Sequence, residues 1–67
     1  MRQQKYEQAL NAYNKAIEVQ PGYAEAYCNR AIAEYNSGKK DAACEDLNKA
    51  QKLGYQAATA LQKQWCH

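Results

Sequence analysis

Apolar side chains recur every three or four positions through the first part of the chain. This spacing places them on a single face of a helix, while polar residues such as Asn11 and Glu18 fall on its other sides. Proline disfavours helical geometry in the residue before it, and glycine tolerates a turn, so we expect this helix to end before Pro21-Gly22. The apolar series consists of Tyr6, Ala9, Leu10, Tyr13, Ala16 and Ile17.

The remaining sequence predicts three further helices and no strand. Gly38 and Gly54 mark the ends of two of them, because glycine enters the left-handed backbone region without penalty. The connections are very short, and short connections force neighbouring helices to be antiparallel. We therefore predict an all-α chain of four helices, the later three spanning about Tyr23–Asn36, Lys39–Leu53 and Tyr55–Trp65.

Small residues occupy the stripes along which these helices are expected to meet. Alanine lets two helix backbones approach closely, and larger side chains such as Tyr13, Tyr27 and Leu47 then fill the gaps. Ala31 and Ala43 should be nearly buried where the second and third helices touch. The small residues of these stripes are Ala9, Ala16, Ala31, Ala43 and Ala50.

A pattern in the chain returns after thirty-four residues. Ala9-x3-Tyr13-x-Lys15-Ala16 reappears as Ala43-x3-Leu47-x-Lys49-Ala50. A fixed period of this length marks a chain of stacked supersecondary units, each of which buries its apolar face only against its neighbours. Such chains present an extended surface and usually bind rather than catalyse, so the period predicts an interaction protein.

These residues resemble the tetratricopeptide repeat family, whose unit is a helix–turn–helix. Tyr27-x2-Arg30-Ala31 resembles the start of the unit's first helix, Gly38 its interhelical glycine, and Ala43-x3-Leu47 its second helix. Tyr27-Cys28-Asn29-Arg30-Ala31 also looks like a variant that is common in the family. The resemblance implies a right-handed helical-repeat solenoid that acts as a scaffold and binds a protein or peptide on the concave face of its first-type helices.

We call the two helices of the repeat unit its first-type and second-type helix. Aligned with that unit, residues 1–20 form a second-type helix that lacks its first-type partner. Residues 21–54 form a complete pair, and residues 55–67 form a capping helix. Trp65 occupies the slot that Ala31 holds one period earlier, and its bulky ring would obstruct a following helix. Two residues depart from the family pattern: Arg30 replaces the usual leucine, and Glu34 the usual aromatic. Arrays usually need about three repeats for stability, so we expect either an excerpt of a longer array or a minimal array helped by self-association.

The second helix is the first-type helix of the complete pair, and the resemblance places the binding face there. In relatives that clamp the terminal carboxylate of chaperone tails, an asparagine in the position of Asn29 donates to that carboxylate. The start of the fourth helix lacks the basic residues of such a clamp, so a backbone or interhelix hydrogen bond is the alternative role for Asn29. We predict a peptide-binding surface of Glu25, Asn29, Ile32, Tyr35 and Asn36.

Self-assembly is the alternative function. The first and fourth helices each lack a partner helix, and a second copy of the chain could supply it, either head-to-tail or by domain swapping. A homo-oligomer of this kind would use Tyr6, Leu10, Tyr13 and Ile17 on the first helix and Leu61 and Trp65 on the fourth.

Composition and charge argue against other classes. The formal net charge is +2 and Lys39-Lys40 is the only adjacent basic pair, which predicts no nucleic-acid binding. No apolar run approaches the ~20 residues of a membrane helix, and no signal-peptide pattern opens the chain. The three cysteines are odd in number and form no Cys-x-x-Cys motif. We therefore expect free thiols, neither metal nor cofactor, and a reducing compartment, which favours the cytoplasm.

No arrangement of residues predicts catalysis, and we expect no enzyme. Cys28 and Cys44 lack a base, because the only histidine is the terminal His67, so packing is the expected role of both thiols. Adjacent acidic residues on a helix point in different directions. We expect the side chains of Glu34, Asp41, Glu45 and Asp46 to be solvated.

Overall fold

The computed structural model describes the backbone of residues 2–66 and the side chains of residues 5–66, so His67 lies outside it. No strand occurs within these residues, and the predicted all-α class is confirmed. α1 packs on α2, α2 on α3, and α3 on α4. The helices are α1 (Arg2–Val19), α2 (Ala24–Asn36), α3 (Lys40–Lys52) and α4 (Gln56–Trp65).

The predicted apolar series of α1 is the face that packs. All six of its residues are half-buried, whereas the polar side chains around them are exposed. The helix stops at Val19, before Pro21 as predicted. The Gln20 N–H donates to the Ala16 carbonyl at 2.9 Å, and the Tyr23 N–H donates to the Gln20 carbonyl at 3.0 Å, which leads the chain into α2.

The connection after α2 and the connection after α3 have the same structure as each other. Gly38 and Gly54 have φ of +92° and +93°, as expected for glycines that end helices. After α2, the Lys39 N–H donates to the Glu34 carbonyl at 2.8 Å and the Gly38 N–H to that of Tyr35 at 3.1 Å. Two backbone hydrogen bonds at the corresponding positions follow α3. Each is a Schellman motif that satisfies the last carbonyls of one helix and starts the next.

The core is made mainly of alanine. Ala31 and Ala43 are both 0% exposed, which confirms the prediction that they are buried where α2 and α3 meet. Leu47 is the largest fully buried side chain, and Tyr27 packs against the cluster from its edge. Short side chains let α2, α3 and α4 approach closely around one leucine. The buried cluster comprises Cys28, Ala31, Ala43, Leu47, Ala50 and Ala58.

A disulfide joins Cys44 on α3 to Cys66, which directly follows α4. The expectation of three free thiols was therefore wrong at these two positions and holds only for the buried Cys28. The paired cysteines lie 22 positions apart in sequence, and the turn after α3 brings their Cα atoms to 5.9 Å. The bond ties the C-terminal end of α4 to the start of α3.

Ala43→Leu tests the close approach of α2 and α3. Because position 43 is fully buried, the larger side chain must push the helices apart, and we expect a loss of about 1–3 kcal/mol in the free energy of unfolding, measured by urea melts. Ala12→Leu, at an exposed position of α1, is the matched control and should change stability by less than about 0.5 kcal/mol. An unchanged urea midpoint for Ala43→Leu would contradict the observed packing.

Candidate functional site

The five residues of the predicted peptide-binding surface lie along one side of α2. Glu25 and Asn36 are exposed at its two ends, and Asn29, Ile32 and Tyr35 are half-buried between them. Ile32 and Tyr35 pack against the buried cluster, which fixes the position of their side chains. The five side chains form a strip of mixed polarity, which we call the α2 strip. Its role in binding stays a prediction.

Asn29 carries an unengaged amide near the middle of the α2 strip. Its side chain makes no hydrogen bond within residues 5–66, whose side chains the structure describes. The alternative role for Asn29, a hydrogen bond to the backbone or to another helix, was therefore wrong. A side-chain amide has two N–H donors and one acceptor oxygen, so Asn29 can pair with a peptide group without first losing a bond inside the protein.

Aromatic contacts mark the C-terminal end of the α2 strip. The Tyr35 ring stacks on Trp65 of α4, with ring centroids 3.9 Å apart and ring planes 7° apart. Lys40 Nζ lies 5.6 Å from the centroid of the same tyrosine ring, within range of a cation–π interaction. Tyr35 therefore belongs both to the α2 strip and to the contact that holds α4.

The opposite side of α2 carries a polar cluster centred on Arg30. Its Nε and Nη2 donate to the two carboxylate oxygens of Asp46 on α3, at 2.7 and 2.6 Å. Its Nη1 donates to Oδ1 of Asn14 on α1 at 2.8 Å. The hydrogen bond to Asp46 is the main reason why the pKa of Arg30 is raised. A single side chain thus joins three helices.

Glu34 lies one turn after Arg30 and is largely withdrawn from water. Its Oε2 is 4.0 Å from Arg30 Nε, and its buried Oε1 has no partner within the described residues. Burial raises the pKa of Glu34 from 4.5 to about 8, and the negative charge of Asp46 adds to the rise. The charges of Arg30 and Lys39 oppose it.

The expectation that all four acidic side chains are solvated was wrong for two of them. Asp46 is only 5% exposed, and the Glu34 side chain is 13% exposed. Asp41 and Glu45 are exposed, as expected. The sequence did hold a signal for Asp46, which we missed. It follows Ala43 by three positions and precedes Ala50 by four, so it lies on the buried stripe of α3.

A cavity of about 400 Å³ opens beside the Arg30 cluster, between α2 and α3. Its walls carry both signs of charge, from the basic residues Arg30, Lys49 and Lys52 and the acidic residues Glu34, Glu45 and Asp46. A perturbed carboxyl pKa occurs in active sites and also in structural ion-pair networks. The bidentate bond from Arg30 occupies both oxygens of Asp46, which fits a structural network.

Cys28 is a packing residue, as expected. It is 3% exposed, and burial, together with the nearby negative charge of Glu25, raises the pKa of its thiol. A nucleophilic cysteine requires a lowered pKa. Within the part of the chain that the structure describes, no group of His, Cys, Asp and Glu is arranged to hold a metal ion. Nor does any helix there combine the length and the apolar character that crossing a membrane requires.

The residues predicted for self-association are all half-buried within the chain. The face of Tyr6, Leu10, Tyr13 and Ile17 belongs to α1, which packs on α2. Leu61 and Trp65 pack against the buried cluster, and one face of the Trp65 ring is covered by Tyr35. Intramolecular contacts thus use part of both surfaces.

Antiparallel helix pairs, joined by repeated Schellman turns around an alanine core, define a helical-repeat protein. A family model described as "TPR repeat" matches residues 1–38, and a second, described as "Tetratricopeptide repeat", matches residues 24–53. The chain therefore belongs to the tetratricopeptide repeat family. Repeats of this family generally mediate protein–protein interactions and are generally not catalytic.

A curated relative supports the same family. The chain is similar to a tetratricopeptide repeat protein 36 homolog from Nematostella vectensis, with 44% identity over 52 residues. This match covers 78% of the chain but only 29% of the relative. The chain thus spans under a third of the length of that protein. No solved structure matches the chain.

Glu34→Gln tests the buried carboxyl. Because the pKa of Glu34 is about 8 in the folded chain and about 4.5 when unfolded, the folded state alone keeps this proton between these pH values. The free energy of unfolding should therefore fall as the pH rises from about 4.5 to 8. Glutamine resembles the protonated acid, so Glu34→Gln should flatten this dependence and exceed the wild type in stability at pH 8.5.

Urea melts at pH 5, 7 and 8.5 measure the effect. Glu45→Gln, at an exposed position of α3, is the matched control and should keep the wild-type dependence. An identical pH dependence in Glu34→Gln and in the wild type would show that Glu34 titrates normally.

Proposed function

We propose that this chain is a non-enzymatic scaffold module that binds a peptide segment of a partner protein on the α2 strip, Glu25, Asn29, Ile32, Tyr35 and Asn36. The observation that carries the proposal is Asn29, a half-buried residue whose side-chain amide makes no hydrogen bond within the described residues. An amide without a partner in the protein can pair with a peptide group at no cost in internal hydrogen bonds.

The chemistry of the strip indicates the kind of ligand. Ile32 and the part of the Tyr35 ring that Trp65 leaves uncovered offer apolar surface, while Asn29 and Asn36 offer hydrogen bonds. These groups suit an extended or helical segment with an apolar side chain flanked by free peptide groups. The fourth helix carries no basic pair near its start, which supports recognition of an internal segment over a terminal carboxylate.

The division of the chain is part of the proposal. Residues 1–20 act as a second-type helix, residues 21–54 as a complete pair, and residues 55–67 as a cap. The disulfide at Cys66 and the stacking of Trp65 support the capping role, because both fasten the end of α4 to the preceding pair. Self-association through the terminal helices is the alternative, and the cover that Tyr35 gives to Trp65 makes it the weaker one.

NMR titration with a selected peptide tests the binding site. Peptides that bind the chain are selected from a displayed library of random sequences, once with dithiothreitol and once without it. The selected peptides are then titrated into ¹⁵N-labelled protein. We expect shifts along Glu25–Asn36 and a Kd of about 10 μM or weaker, because so small a contact leaves little surplus over the cost of association.

Asn29→Ala should weaken binding about tenfold without loss of stability, because the amide makes no bond in the free chain. Asn11→Ala, at an exposed position of α1, is the matched control and should bind like the wild type. Shifts confined to the Asn11 and Glu18 side of α1 would refute the placement, as would equal binding by Asn29→Ala. Sedimentation velocity on the same samples tests the alternative, which requires a concentration-dependent dimer.

A further inference from the structure

The disulfide and the aromatic stack lie at the same end of the α2 strip. Cys66 is the immediate neighbour of Trp65, and Trp65 stacks on Tyr35 with 3.9 Å between the ring centroids. A bond that fixes Cys66 to Cys44 therefore also fixes the indole over the tyrosine. Tyr35 is a member of the α2 strip, so one face of its ring is covered in the disulfide-bonded chain.

The burial of α4 decreases toward its C-terminal end. Ala58 is its one buried residue, near the start of the helix, and Leu61 and Trp65 are half-buried further along. Gln62 donates a hydrogen bond to Asn48 of α3 at an exposed position. A helix of ten residues is too short to be stable by itself in water. The disulfide is therefore a main attachment of the last turn of α4.

Both sulfur atoms belong to half-buried residues, in contrast to the buried thiol of Cys28. We therefore expect a thiol reagent to reach the Cys44–Cys66 bond more readily than it reaches Cys28. Accessibility to attack is one of the features that separates a labile disulfide from an inert one.

We propose that Cys44–Cys66 is a redox latch on the peptide-binding surface. In the oxidised chain the latch holds Trp65 over Tyr35 and closes this end of the α2 strip. In the reduced chain the last turn of α4 detaches, Trp65 leaves, and the whole of the strip is open to a peptide. This regulation rests on the proposed function of the α2 strip.

The chemistry of opening is an ordinary thiol–disulfide exchange with a dithiol. A thiolate of the dithiol attacks one sulfur of the Cys44–Cys66 bond, forming a mixed disulfide and releasing the other cysteine as a thiolate. The second thiol of the reagent then displaces the remaining cysteine, so two electrons pass to the protein and the dithiol becomes a cyclic disulfide. The two protons of the dithiol end on Cys44 and Cys66.

Opening is measured on the whole chain before and after dithiothreitol. Trp65 is the only tryptophan, so its fluorescence and its ring contacts to Tyr35 in NOE spectra report directly on the stack. We expect reduction to abolish these NOEs and to speed hydrogen exchange in the last turn of α4, while amides around Ala31 and Leu47 stay protected. The double variant Cys44→Ser/Cys66→Ser should show the open state and no response to dithiothreitol.

Persistence of the Trp65–Tyr35 NOEs after reduction would overturn the latch. So would loss of protection throughout the core, because the disulfide would then support the whole fold rather than one end. This measurement needs no ligand, and it decides the latch even if the α2 strip binds nothing.

The binding consequence is tested with the peptide selected above. Affinity should rise roughly two- to tenfold on reduction, the range expected when one aromatic contact becomes available. Trp65→Ala in the oxidised chain keeps the disulfide but removes the cover, and it should reproduce this gain. If neither the reduced chain nor the oxidised Trp65→Ala variant binds the peptide more tightly than the oxidised wild type, the closed state is overturned. Failure to bind in any state, with the NOEs lost as expected, would instead count against the proposed function.

Discussion

The bond between Arg30 and Asp46 is the interaction on which the arrangement of the helices depends. Arg30 lies in the middle of α2 and is half-buried, so its guanidinium must find acceptors there. Asp46 on α3 supplies two oxygens and Asn14 on α1 supplies a third. A buried ion pair is weak evidence for net stability, but leaving one partner alone is costly. The pair therefore selects the register in which α1, α2 and α3 meet.

The function of α2 follows from this register. With about 3.6 residues per turn, the Arg30 side of the helix and the α2 strip point in nearly opposite directions. Fastening Arg30 to α1 and α3 therefore leaves the strip facing away from the polar cluster. The alanines at positions 31 and 43 allow the close approach that the short Arg30–Asp46 bonds require. The core positions the helices, and the amide of Asn29 remains available for a partner.

The local features of the fold could be predicted from the sequence. The apolar period of α1, the glycine ends at 38 and 54, and the burial of Ala31 and Ala43 all follow from spacing and backbone preference over a few residues. The family assignment also follows, because the repeat motif extends over most of the chain. The five residues of the α2 strip share one helix face, so their common placement was predictable.

The features that escaped prediction join residues distant in sequence. Arg30 and Asp46 are sixteen positions apart, and Cys44 and Cys66 are 22 apart. Each residue alone has an ordinary interpretation, as a solvated charge or a free thiol. An odd number of cysteines argued for free thiols, whereas the turn after α3 brings one pair together. The size of Trp65 predicts that it obstructs a following helix, but its stacking on Tyr35 depends on the packing of α4.

A double-mutant cycle on Arg30 and Asp46 tests the central claim most directly. Arg30→Met and Asp46→Leu are made singly and together, and the free energy of unfolding of each is measured at pH 7. Arg30→Met leaves the buried Asp46 carboxylate without its partner, and Asp46→Leu leaves the half-buried Arg30 without its own, so both should be destabilised, while the double variant recovers much of the loss. We predict a coupling energy above about 1 kcal/mol. Additive effects would show that the pair does not set the arrangement of the helices.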